Sequence, residues 1–148
     1  MPKLYKAALV CCSLIASTAH AAQAMPTTLK ELSNNKLATV CSYELFQIGN
    51  AFAEKSKLTE TDKHTALAYF LLSAKWLDVT DETPTTEAIA DAVNYVRDQP
   101  AKVMGDQIAW CQKIGRALYE DSTESTKSTL ATEAINSFNK ARLGFLKK

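Results

Sequence analysis

Most of the usual signatures of chemistry are missing from this chain. It has no serine elbow, no phosphate-binding glycine loop and no calcium-loop pattern. The absence of C-x-x-C-H excludes haem attachment through cysteine. There is no excess of charge of one sign: 17 basic residues face 16 acidic ones. Nucleic acid and anionic membranes attract basic surfaces, so the balance argues against either as the main partner. Histidine occurs only at His20 and His64, too few for a histidine-cluster pH switch. There is no apolar run long enough to cross a bilayer comfortably, which argues against stable membrane insertion.

Carboxylates are present without a pattern. Hydrolysis of glycans needs two acids across a cleft. Glu44, Glu54, Asp78 and Glu82 are available, but each falls at an apparent surface or loop position, and no spacing singles out a pair. A zinc site wants about four ligands. Cys41, Cys111 and His64 would still need a carboxylate, and nothing in their spacing suggests one. Haem held by His64 and Met104 rests on residue identity alone. The expectation is no catalytic residue, no metal and no cofactor.

What is present begins with an export signal. Lys3 and Lys6 make a positive start, Ala7–Ala16 is the short apolar run AALVCCSLIA, and the small-residue stretch STAHAAQA follows. These are the three parts of a secretory signal peptide. Ala19-His20-Ala21 and Ala22-Gln23-Ala24 both match the A-x-A pattern. Cleavage is expected after Ala24, with Ala21 and Ala22 as alternatives. Val10 before Cys11 is not the small residue that a lipoprotein signal requires. Residues 1–24 are thus read as signal peptide and 25–148 as one helical domain. Cleavage leaves 15 basic residues against 16 acidic, His64 as the sole histidine, and Cys41 and Cys111 as the sole cysteines. The alanine-rich cleavage region has a bacterial character, and the expected location is the periplasm, with free secretion as the alternative.

The mature chain has helical periodicity almost throughout. Leu29, Leu32, Leu37, Val40/Cys41, Leu45, Ile48 and Phe52 recur at one-face spacing, with Thr28 and Glu31 as a candidate capping box and Ser33-Asn34-Asn35 as a break. This helix should fade near Ser56. Thr59 and Asp62 bracket the start of a second helix, whose run ALAYFLLSAKWLDV is apolar on most sides and therefore central. After the polar stretch Asp78–Glu87, Thr83 with Pro84 should open a third helix carrying Ala88/Ile89, Ala92/Val93 and Val96. Pro100 ends that helix or opens the next. Val103, Ile108, Cys111, Ile114/Gly115 and Leu118 define the fourth; Leu130, Ala134/Ile135 and Phe138 a fifth, with Gly144 placed to stop it. The fold expected is all-α, a compact bundle of about five helices with one interhelical disulfide.

Cys41 and Cys111 sit on buried stripes of different helices in an exported chain, which points to a disulfide between them. A redox site usually has a close C-x-x-C pair, and a catalytic thiolate wants a base. Each of Gly49 and Gly115 costs its helix about 1 kcal/mol relative to alanine. Close helix approach beside the disulfide would offset that cost; contact with a ligand is the alternative. Trp76 and Trp110 lie on core-like helices.

A small exported helical domain without chemistry of its own is best read as a protein that binds a protein partner. Periplasmic immunity proteins, which neutralise toxins injected by competing bacteria, share this general make-up; the likeness is architectural, with no shared motif. The acidic stretch with Asp78, Asp81 and Glu82 and the polar junction with Asp121 and Glu124 are the candidate contact regions, suited to a basic cleft on the partner. The alternatives are an envelope stress or chaperone-like factor, and a small secreted effector or enzyme.

Overall fold

The computed structural model describes residues 24–147. The expected leader therefore lies outside the described residues apart from Ala24. The domain is an all-α bundle of six helices: α1 Thr27–Lys30, α2 Asn34–Ala53, α3 Glu60–Asp78, α4 Thr86–Arg97, α5 Ala101–Glu120 and α6 Glu124–Leu146. Five of these are the expected long helices. The sixth is the single turn α1, divided from α2 by the Ser33 break.

Side-chain caps set most of the helix starts. Ser33 accepts from the Lys36 amide, Thr85 from Ala88 and Thr123 from Thr126. Thr59 and Asp62 form the reciprocal box expected of them. Each such cap is worth about 1 kcal/mol. The Lys55 ammonium, then the Thr59 hydroxyl and amide, hold the Asp62 carboxyl down at about pKa 2. Two expected caps do not form. α1 starts after Pro26 with no side-chain cap, and Thr28 instead meets Tyr95 and Gln107. α4 starts two residues later than Thr83-Pro84 suggests, because Thr85 takes the capping role. Pro100 opens α5. Gly144 does not stop α6, which runs on to Leu146. Nor does α2 reach Ser56: it ends at Ala53, where Arg142 of α6 donates to the carbonyls of Ala53 and Lys55 at 2.9 Å each. A cation there satisfies orphan carbonyls and meets the negative end of the helix dipole.

The apolar α3 is central, as its sequence predicts. It packs antiparallel on α2: Ser42 meets Ser73, Phe46 meets Phe70, and Phe52 stacks on Tyr69. Ser73 donates to the Ser42 carbonyl, so the Ser42 hydroxyl donates to Ser73. Two short polar side chains thus satisfy one another inside the tightest helix pair. α6 lies along the other side of α3.

The core has two parts. The larger surrounds the disulfide and holds Val40, Leu45, Leu72, Trp76, Val96, Trp110, Ile114 and Leu118. The smaller holds Ala53, Ala66, Phe70, Ala134 and Phe138 at the end where α2 stops and α3 begins. Both tryptophans are buried. Ile89 and Ile135, which the periodicity places beside core residues, are about half exposed. In each pair it is the neighbouring residue's stripe, Ala88/Ala92 or Ala134/Phe138, that faces inward. No helix among the described residues is long and apolar enough to cross a membrane.

Candidate functional site

Cys41 and Cys111 are joined, with Cα atoms 5.3 Å apart, and both are fully buried. The bond ties α2 to α5 across the larger core. Trp76 of α3 is the third member of this junction. Its indole Nε1 donates to the Cys111 carbonyl at 2.9 Å. Gly115 makes the approach possible: a Cβ there would stand 2.9 Å from that same nitrogen. Gly49 plays the parallel part in the smaller core, where a Cβ would stand 2.9 Å from two carbons of the Phe70 ring. The two glycines therefore serve packing. They do not bring α2 and α5 together, as the sequence suggests; each receives an aromatic ring from α3.

The acidic contact candidates fall at the end of the bundle where α3 finishes and α6 begins. Asp78 is half-buried, accepts from Lys75 at 2.8 Å, and lines an open groove of about 390 Å³ with Leu77, Ser125, Thr126, Leu130 and Glu133. Asp81 and Glu82 are exposed on the loop beyond α3. Glu82 and Asp91 line a second groove, of about 310 Å³, against Ser33, Lys36 and Thr39 of α2's start. Asp121 is exposed after α5, and Glu124 opens α6, where it accepts from Lys127 at 3.1 Å. Of the five candidates only Asp78 lines the first groove, which it shares with Ser125 and Thr126 in the first turn of α6. Asp78 and Glu124 have local lysine partners; among the described residues Asp81, Glu82 and Asp121 have no ion pair.

Glu44 is a different case. Its sequence position reads as surface, yet it is buried at 2% exposure. The reason is its register on α2: Cys41, Glu44 and Leu45 all face the larger core, Glu44 one turn from the disulfide. Its Oε2 lies 3.7 Å from the Cys111 sulfur, which carries no proton to donate. Its Oε1 has no hydrogen-bond partner. Burial without a cation raises the carboxyl pKa from 4.5 to about 8, so it is largely protonated at neutral pH. Glu44 also borders a cleft of about 550 Å³ between α2, α4 and α5, with Tyr43, Gln47, Ile48, Val93, Val96, Arg97, Met104 and Ile108.

A second buried polar group sits nearby on α5. Gln107 is fully buried, and its amide donates to the Thr28 hydroxyl at 2.7 Å and to the Tyr95 oxygen at 3.4 Å. Tyr95 donates to the Thr28 carbonyl at 2.8 Å. This network fastens α1 onto α4 and α5. Among the described residues no group of three or more His, Cys, Asp or Glu side chains is placed to hold a metal ion. His64 is exposed on the first turns of α3.

Compared with protein-family models, with curated proteins and with solved structures, the chain finds no match.

Proposed function

We propose that this chain is an exported binding protein that acts by meeting a protein partner, without chemistry of its own, through the acidic end of its bundle. The observation that carries the reading is the groove shared by Asp78 and the start of α6. It sets Asp78, from the first acidic stretch, against Ser125, Thr126 and Glu133 of α6, the helix that follows the second. Asp81 and Glu82 on the loop after α3 and Asp121 after α5 are exposed acids with no ion pair among the described residues. A rigid support behind such a surface favours binding, because less motion is lost on association. Here the disulfide and the α3 rings packed against Gly49 and Gly115 supply it. The partner that fits is a protein with a basic cleft, and the periplasmic immunity role is the form of this reading that agrees with the signal peptide expected from the sequence.

The test is capture from an envelope extract on the immobilised mature protein, compared with the triple variant Asp81→Asn, Glu82→Gln, Asp121→Asn. These substitutions leave the Lys75–Asp78 and Lys127–Glu124 pairs intact. The reading predicts one stoichiometric partner, held about tenfold more weakly by the variant and more weakly at high salt. Broad capture of unfolded chains would favour a chaperone instead. Turnover of an envelope substrate by the purified protein would overturn the reading altogether.

A further inference from the structure

The cleft between α2, α4 and α5 is separate from the acidic end. Its walls are almost wholly apolar: Ile48 from α2, Val93 and Val96 from α4, and Met104 and Ile108 from α5. At about 550 Å³ it has the size of a small-molecule site. Against that apolar lining lies one carboxyl group. Glu44 is 2% exposed, and its Oε1 meets no donor. A buried acceptor left in this state costs about 1–3 kcal/mol, and more when ionised. Tyr43, Gln47 and Arg97 line the same cleft, but none of them donates to this oxygen. The missing donor defines what the cleft would hold.

We propose that this cleft binds a small free alkylammonium ligand, its apolar chain lying against Ile48, Val93, Val96, Met104 and Ile108 and its ammonium paired with the Glu44 carboxylate. An ammonium has three donors and no acceptor, which matches a carboxylate lacking donors. Gln47 and Tyr43 lie at the same border and offer further oxygen acceptors. Glu44 has several rotatable side-chain bonds, and Met104 is unbranched and adaptable. Turning the carboxyl toward the cleft therefore takes rotamer changes and leaves the helices in place. Arg97, exposed and bonded to Asn94, is the one cation of the lining, and it disfavours a second cation at the mouth. The charged or titratable groups lining the cleft besides Glu44 are thus Tyr43 from α2 and Arg97 from α4. α5 contributes none, and α3 contributes no lining residue.

Proton linkage separates this proposal from simple filling of an apolar gap. Free Glu44 is mostly protonated at pH 7, because burial raises its pKa to about 8. An alkylammonium stays charged well above that pH. Pairing therefore expels the Glu44 proton into solvent. The test is calorimetric titration of the disulfide-intact protein with n-hexylamine and with 1-hexanol at pH 6 and pH 8.5, in buffers of different ionisation enthalpy. Hexylamine should bind at least about tenfold more tightly at pH 8.5 than at pH 6, with proton release near one at pH 7. It should also outcompete hexanol. Glu44→Gln should lose the preference for amine while keeping hexanol binding, which shows that the cleft survives the substitution. Arg97→Gln should strengthen amine binding. Equal binding of the two probes at pH 8.5, binding without proton release, or no binding of hexylamine would overturn the proposal. Preference for Nα-acetyl-lysine N-methylamide over hexylamine would overturn it too, in favour of a partner protein's lysine.

Discussion

Glu44 is an ionisable group at 2% exposure, and its effect on stability has a definite sign. Its pKa is 4.5 when free in solution and about 8 in the folded protein. Between those values the folded state holds a proton that the unfolded state has released. Folding is favoured by protonation, so the stability linked to this group is full below about pH 4.5. It is lost as pH rises toward about 8, and is flat beyond. The whole effect is on the order of 3–5 kcal/mol. Asp62 acts in the opposite sense: held at about 2, it contributes above its ordinary pKa of 3.8 and is lost as pH falls through the folded value. Urea unfolding of the wild type and Glu44→Gln across pH 4 to 9 should isolate the first effect. The wild type should lose stability toward pH 8 relative to the variant, and parallel curves would refute the burial of Glu44 as described. The sequence could not reveal this residue. A glutamate two positions after Ser42 and one before Leu45 looks like the edge of an amphipathic stripe, and whether that edge is wet depends on how α4 and α5 cover it. Its one signal was position, one turn after a cysteine expected to be buried.

At the scale of helices, α3 explains the placement of the glycines. Gly49 and Gly115 are on different helices and contact Phe70 and Trp76, both on α3. Replacing either with alanine would gain about 1 kcal/mol of helix propensity but drive a Cβ against a buried ring. The net result should be destabilisation of about 1–3 kcal/mol, as in other overpacked cores. Gly105 and Gly144 are the controls, since a Cβ at either meets nothing within 4 Å. Alanine at each should stabilise by about 0.5–1 kcal/mol. Thermal unfolding of the four variants checks the contrast, which reversed signs would contradict. The periodicity made the five long helices readable, because each buries one continuous stripe. The capping box at Thr59-Asp62 was readable for the same local reason. The start of α4 was not. Thr83-Pro84 and Thr85 offer competing caps within three residues, and the choice is made by where the chain must leave α3. Gly144 likewise looked like a stop, but α6 continues past it for another half turn.

For the whole molecule, the disulfide links the sequence reading to the fold. Cys41 and Cys111 are 70 residues apart, and closing so long a loop restricts the unfolded chain by about 4 kcal/mol in the chain-entropy view. The double variant Cys41→Ala, Cys111→Ala should lose stability of that order in denaturant unfolding. The same pair carries the inference about compartment. Cys11 and Cys12 lie in the expected signal peptide, so export and cleavage would leave only the two cysteines that the fold joins. The proposed role needs a disulfide-braced scaffold that reaches a compartment outside the cytoplasm. Intact mass of the protein recovered from the cells that make it, alkylated before and after reduction, reads both requirements at once. The expected result is a chain beginning at Met25, with no thiol modified before reduction and both Cys41 and Cys111 modified after it. A chain still beginning at Met1, with all of its cysteines modified before any reduction, would contradict it.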